Sequence, residues 1–98
     1  MFSRASVKQF VDDDDAYLQW VEANQHGFVV NSHRVPKPSY LRLHRASCTH
    51  IRTDGHSNWT TSGYIKTCSH DASSLAAWAK EEVGGDLDPC QVCKPDLA

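Results

Sequence analysis

No apolar run in this chain approaches the ~20 residues that a membrane-spanning helix needs, so the sequence offers no transmembrane segment. The opening stretch MFSRASVKQFVDDDD has no continuous apolar segment either and makes a poor secretory signal. The expected location is therefore cytoplasmic, where thiols stay reduced. There is no glycine-rich phosphate loop, no G-x-S-x-G elbow and no H-E-x-x-H, so the commonest signatures of nucleotide binding, acyl transfer and metalloproteolysis are missing. Internal repeats are absent, and the only low-complexity stretch is the run Asp12–Asp15. Most informative is a local absence: residues 23–53 contain no acid at all.

What is present describes one small domain. Ninety-eight residues fit a single core, and a domain of that size often leans on an extra staple. The net charge of −2 is unevenly spread. Residues 1–22 set Arg4 and Lys8 against five acids, and residues 54–98 set Lys66, Lys80 and Lys94 against seven. Between them lie Arg34, Lys37, Arg42, Arg45 and Arg52 with nothing to oppose them in sequence. A basic middle inside an acidic chain points to an anionic partner or to a solvated loop.

Residues 1–12 show little pattern and read as a loose arm, leaving 13–98 as the domain. The spacing of Ala16, Trp20 and Ala23, widened by Tyr17, Leu18 and Val21, predicts a helix over about residues 13–25. The Asp run would favour its N-terminus, and Gly27 would stop it in a left-handed conformation. FVVN reads as a short strand, and SHRVPKPS as a loop because its two prolines break a ladder. YLRLH alternates, with Tyr40, Arg42 and His44 on one face and Leu41 and Leu43 on the other. TDGHSN is turn-rich, and GYIKTC is a further strand with Tyr64, Lys66 and Cys68 on one face. A second helix spans about residues 71–83, capped by Ser69 or Asp71 and ended by Gly84–Gly85. The expected fold is α+β: an antiparallel sheet of about three strands with two helices. Trp20, Leu41, Leu43, Ile65, Leu75 and Trp78 are the expected core.

The four cysteines direct the functional reading. Cys90 and Cys93 form a C-x-x-C turn in DPCQVCKP. A redox pair of the thioredoxin kind needs a following helix to lower the first thiol's pKa, and Pro95 opposes one. The metal reading needs two more ligands, and HRASC supplies them as His44 and Cys48. Two close pairs separated by a folded insert are a common way to build a tetrahedral zinc site. With four protein ligands no coordination position stays open for water, so such a zinc is structural. The competing reading is buried reduced thiols, which pack well in cores. Cys68 has no nearby cysteine and reads as core, with Cys68 and His70 as an alternative ligand pair. His26, His33, His50 and His56 read as surface or core histidines.

YLRLHRASC followed by PCQVCKP resembles the zinc-binding module at the N-terminus of Ada-type DNA-repair methyltransferases. The resemblance covers both ligand pairs and their flanks, and residues 40–95 more loosely. It implies a structural zinc on His44, Cys48, Cys90 and Cys93. In Ada-type modules a zinc-bound thiolate of the first pair accepts a methyl group from DNA phosphotriesters. Here that first position is His44, and Cys48 is the only thiolate of the pair. Alkyl transfer at Cys48 is therefore disfavoured. The insert of 41 residues between Cys48 and Cys90 is also longer than in compact versions.

The functional expectation is a zinc-binding, non-catalytic module associated with DNA or RNA through a basic face over residues 34–52. Arg34, Lys37, Arg42 and Arg45 would neutralise phosphates there, and Tyr40 would stack on a base. The alternative is a zinc-stabilised protein–protein adaptor using the acidic N-terminal run and Trp59.

Overall fold

The computed structural model describes residues 7–48, 59–91 and 93–95. Arg52, His50, His56 and the turn-rich TDGHSN lie outside the described residues. The elements in chain order are β1 (Lys8–Phe10), α1 (Asp14–Ala23), β2 (Phe28–Lys37), β3 (Tyr40–Arg45), β4 (Tyr64–Ser69), α2 (Ala72–Trp78) and β5 (Asp88–Pro89). A π-helical turn, Ala79–Val83, prolongs α2. The fold is α+β as expected, but the sheet has five strands in the order β1-β4-β2-β3-β5. It is mixed, since β5 runs parallel to β3 while the other neighbours are antiparallel. The two additional strands are three and two residues long, too short to show a hydrophobic period. β1 uses residues that the sequence pattern assigns to an arm, pairing Lys8 with Cys68 and Phe10 with Lys66. No helix among the described residues is long and apolar enough to cross a membrane.

Alternation sorts the sheet's side chains onto two faces, each covered by one helix. One face carries Val29, Cys68 and His44, with Tyr17 and Val21 of α1 and Trp59 packed against that core. The other carries Val30, Leu41 and Leu43 beneath Leu75 and Trp78 of α2. Helix α1 meets the sheet along Tyr17 and Val21, an i, i+4 pair. Ala23 and Leu18 are exposed and Trp20 only half-buried, so the buried stripe is narrower and rotated relative to the expected one. The other five expected core residues are all buried.

Asp13 caps α1, its carboxylate accepting from the Ala16 N–H at 3.1 Å. The next acid clamps a distant loop. Asp14 accepts from the backbone N–H groups of Trp59 (3.1 Å) and Thr60 (2.6 Å) and from the Thr60 hydroxyl (2.8 Å). The Asp run is thus partly structural. Asp71 stands at the start of α2 without a side-chain capping bond.

Two turn assignments change. SHRVPKPS is not a loop throughout, because β2 continues to Lys37. Its pairing with β4 ends at His33, and its pairing with β3 is irregular between Ser32 and Lys37. Pro36 falls in that irregular segment, where a missing N–H breaks no regular ladder bond. Gly27 does not adopt a left-handed cap; among the described residues the left-handed glycine is Gly84, φ 85°, after α2. Gly27 serves close packing instead, since a Cβ there would lie 2.9 Å from the Trp20 ring and 3.1 Å from the Ser69 carbonyl.

Candidate metal centre

The hairpin β2–β3 delivers the first ligand pair. Tyr40, Arg42 and His44 alternate onto the α1 face, and His44 lies opposite Val29 in register. Beyond β3 the chain turns sharply, with the Cys48 N–H donating to the Arg45 carbonyl at 2.9 Å. That turn brings Cys48 back beside His44. The second pair arrives on β5, where Asp88 and Pro89 pair with Arg42 and Leu43. The Cys90 N–H donates to the Leu43 carbonyl at 2.8 Å, and the Lys94 N–H closes the next turn on the Cys90 carbonyl at 2.9 Å. Lys94 sits at φ 47°, a conformation that a non-glycine residue holds only where surrounding structure enforces it.

The result is a cluster of His44, Cys48, Cys90 and Cys93, whose potential ligand atoms all lie within 4.8 Å of one another. His44, Cys48 and Cys90 are buried and Cys93 is half-buried. No disulfide joins any of the four cysteines. Buried His44 has other interactions, but its Nδ1 atom makes no hydrogen bond. Tetrahedral zinc–sulfur bonds of about 2.3 Å set ligand atoms roughly 3.8 Å apart, so a small contraction suffices. One imidazole and three sulfurs form a donor set suited to a soft or borderline divalent ion such as zinc.

Arg45 supports the cluster from outside. Its backbone N–H donates to Cys93 Sγ at 3.3 Å, and its guanidinium donates to the carbonyls of Cys93 (2.9 Å) and Lys94 (3.1 Å). An N–H aimed at sulfur stabilises a thiolate, and such outer contacts orient metal ligands. A divalent ion held by three thiolates would carry a formal charge of about −1, which the neighbouring guanidinium would offset. Cys68 and His70 are not part of the cluster. Cys68 is fully buried in the α1-side core, where burial pushes its thiol pKa up, while Lys66 pulls the other way. His70 is exposed, edge-on to Trp20 at 5.9 Å.

Among the described residues, the basic side chains of the middle segment do not form one patch. Arg45 pairs with Phe28 at one end of the hairpin, and Lys37 pairs with Tyr40 at the other. Five strand steps, about 17 Å, separate those ends. Arg34 is ion-paired with Asp12 and also donates to the carbonyls of Thr60 and Ser62. Arg42 pairs with Asp88 at 3.3 Å and lies over the Tyr40 ring at 5.9 Å. Trp59 is buried against Tyr17, ring centroids 6.3 Å apart, so it is core.

Lys66 is a buried charged residue that sequence reasoning did not single out. Only 4% exposed, it donates from Nζ to Asn31 Oδ1 (2.8 Å) and the Trp59 carbonyl (2.7 Å). Desolvation lowers its pKa from 10.5 to about 8, against the attraction of Cys68 and Asp14. Its place on the α1 face was readable from strand alternation, but nothing in sequence marked it as buried. Comparison with protein-family models, with curated proteins and with solved structures found no match.

Proposed function

We propose that the chain is a zinc-stapled, non-catalytic binding module that associates with nucleic acid. The observation that carries the metal half of this reading is the convergence of two remote ligand pairs into one buried His/Cys cluster. Four protein donors complete a tetrahedron, so the ion holds structure and leaves no position for a reacting water. It ties the open end of the hairpin to residues 88–95. That arrangement supports the Ada-like resemblance in ligand order, and His44 in the first position still argues against alkyl transfer.

The nucleic-acid half rests on the acid-free segment, which becomes the β2–β3 hairpin and presents Arg34, Lys37, Tyr40 and Arg42 near one end. The ion pairs of Arg34 and Arg42 do not forbid phosphate contacts. Both are partly solvent-exposed, and pairs of that kind contribute only about 0–1 kcal/mol. Arg45 is committed to the metal centre and drops out of the face.

The test is equilibrium binding of zinc-loaded protein to short DNA and RNA across a salt series. Three phosphate contacts on a single strand predict roughly a 20-fold loss of affinity between 50 and 200 mM salt. No binding at low salt, or a salt-independent affinity, would remove the nucleic-acid reading and favour the protein-adaptor alternative.

A further inference from the structure

At the end of the sheet away from the metal cluster, three aromatic rings meet on the α1 face. His33 of β2 and Tyr64 of β4 are opposed in register. Their rings stack with centroids 5.2 Å apart and planes 25° from parallel. Tyr40 of β3 closes the group, 5.5 Å from His33 and 5.9 Å from Tyr64. Asn31 donates to the Tyr40 hydroxyl at 3.1 Å, and the same Asn31 accepts from buried Lys66. The Tyr40 ring is therefore held in place through Asn31. Tyr64 is nonetheless 40% exposed.

We infer that the outer face of Tyr64, backed by His33 and Tyr40, is a stacking platform for an unpaired base of single-stranded nucleic acid. This rests on the nucleic-acid reading above and specifies its form. The rings touch one another and leave no slot between them, so a ligand cannot insert among them as a cation enters an aromatic cage. A flat ligand must lie on the outside. Two cations beside Tyr40 select among flat ligands: Lys37 lies opposite it in register, and Arg42, paired with Asp88, lies over its ring. Positive groups around an exposed ring fit a base joined to a phosphate backbone. In a duplex the base faces are already stacked on each other, so only an unpaired base can use the platform.

The experiment measures affinities of zinc-loaded protein for labelled single strands of about ten nucleotides, dT and rU, and for a duplex of the same length at one salt concentration. The variants are Tyr64→Ala, Tyr64→Leu and Tyr64→Phe, each first checked for folding and metal content. Single strands should bind more tightly than the duplex. Tyr64→Ala and Tyr64→Leu should lose about 5- to 100-fold in single-strand affinity, and Tyr64→Phe should stay close to wild type. Should Tyr64→Ala not fold, the Leu–Phe comparison carries the same test, since both keep the apolar bulk and only Phe keeps the ring. Duplex binding equal to or tighter than single-strand binding, or no difference between Leu and Phe, overturns the platform while leaving a charge-based association standing. No binding to any of these nucleic acids overturns both.

Discussion

Replacing Lys66 with methionine should change how stability depends on pH, and the direction follows from where the lysine sits. Its ammonium group is buried on the α1 face, hydrogen-bonded to Asn31 and the Trp59 carbonyl, with its pKa lowered from 10.5 to about 8. A shift of that size means that keeping the proton in the folded state costs roughly 3 kcal/mol relative to the unfolded chain. Below pH 8 both states are protonated, and the folded state bears the whole cost. Between about pH 8 and 10.5 the folded lysine is neutral while the unfolded one is still charged, so the unfolded state binds more protons and stability rises with pH. Above that window the penalty is gone. From pH 7 to 9.5 the wild type should therefore gain about 2 kcal/mol relative to Lys66→Met. Cys68 acts in the opposite sense above pH 9.0, since its raised thiol pKa means that the unfolded chain loses that proton first. Because Cys68 is present in both proteins, its effect largely cancels in the difference. Losing two hydrogen bonds shifts the variant's whole curve without tilting it. Urea unfolding of both zinc-loaded proteins at several pH values from 7 to 9.5 measures the difference. Parallel stability curves, or a wild type that falls relative to the variant, would refute the burial argument.

Other perturbations test the scaffold around the site. Asp14→Ala leaves the N–H groups of Trp59 and Thr60 without their carboxylate and should destabilise by about 2 kcal/mol in urea unfolding. Gly85→Ala would push a Cβ to within 2.7 Å of the Pro38 backbone; a loss of about 1–3 kcal/mol is expected by the same assay. Cys68→Ala should reduce stability by about 1–2 kcal/mol yet leave metal content unchanged, because Cys68 belongs to the core and not to the cluster. Chelation should unfold the domain or release residues 88–95, as seen by hydrogen exchange. Structural zinc contributes roughly 10–16 kcal/mol in small sites, which rivals the ~5–15 kcal/mol of total stability typical of a domain.

The buried His/Cys cluster was legible in the sequence because its spacing is local: H-x3-C and C-x-x-C each fit one turn, and only their meeting required the fold. Both helices were legible for the same reason, as were the cores of β2, β3 and β4. The strands β1 and β5 were not, since segments of three and two residues hold no period and exist only because β4 and β3 offer edges to pair with. The prolines near Val35 hid the far half of β2, and with it the place of His33 beside Tyr64. The basic stretch looked like a cluster in one dimension. Extended along a hairpin, it puts Arg45 at the metal end and Lys37 at the other, and Asp12 and Asp88 come from remote segments to meet Arg34 and Arg42.

The buried His44, Cys48, Cys90 and Cys93 cluster is proposed to hold one structural zinc. Native mass spectrometry of the purified protein, beside Cys48→Ser and His44→Ala and with metal content determined independently, tests it directly. One zinc per wild-type chain is expected, lost or sharply weakened in both variants, with Cys48, Cys90 and Cys93 protected from alkylation until the ion is chelated. A metal-free wild type whose three cluster thiols alkylate without chelation, while the chain stays folded, would contradict it.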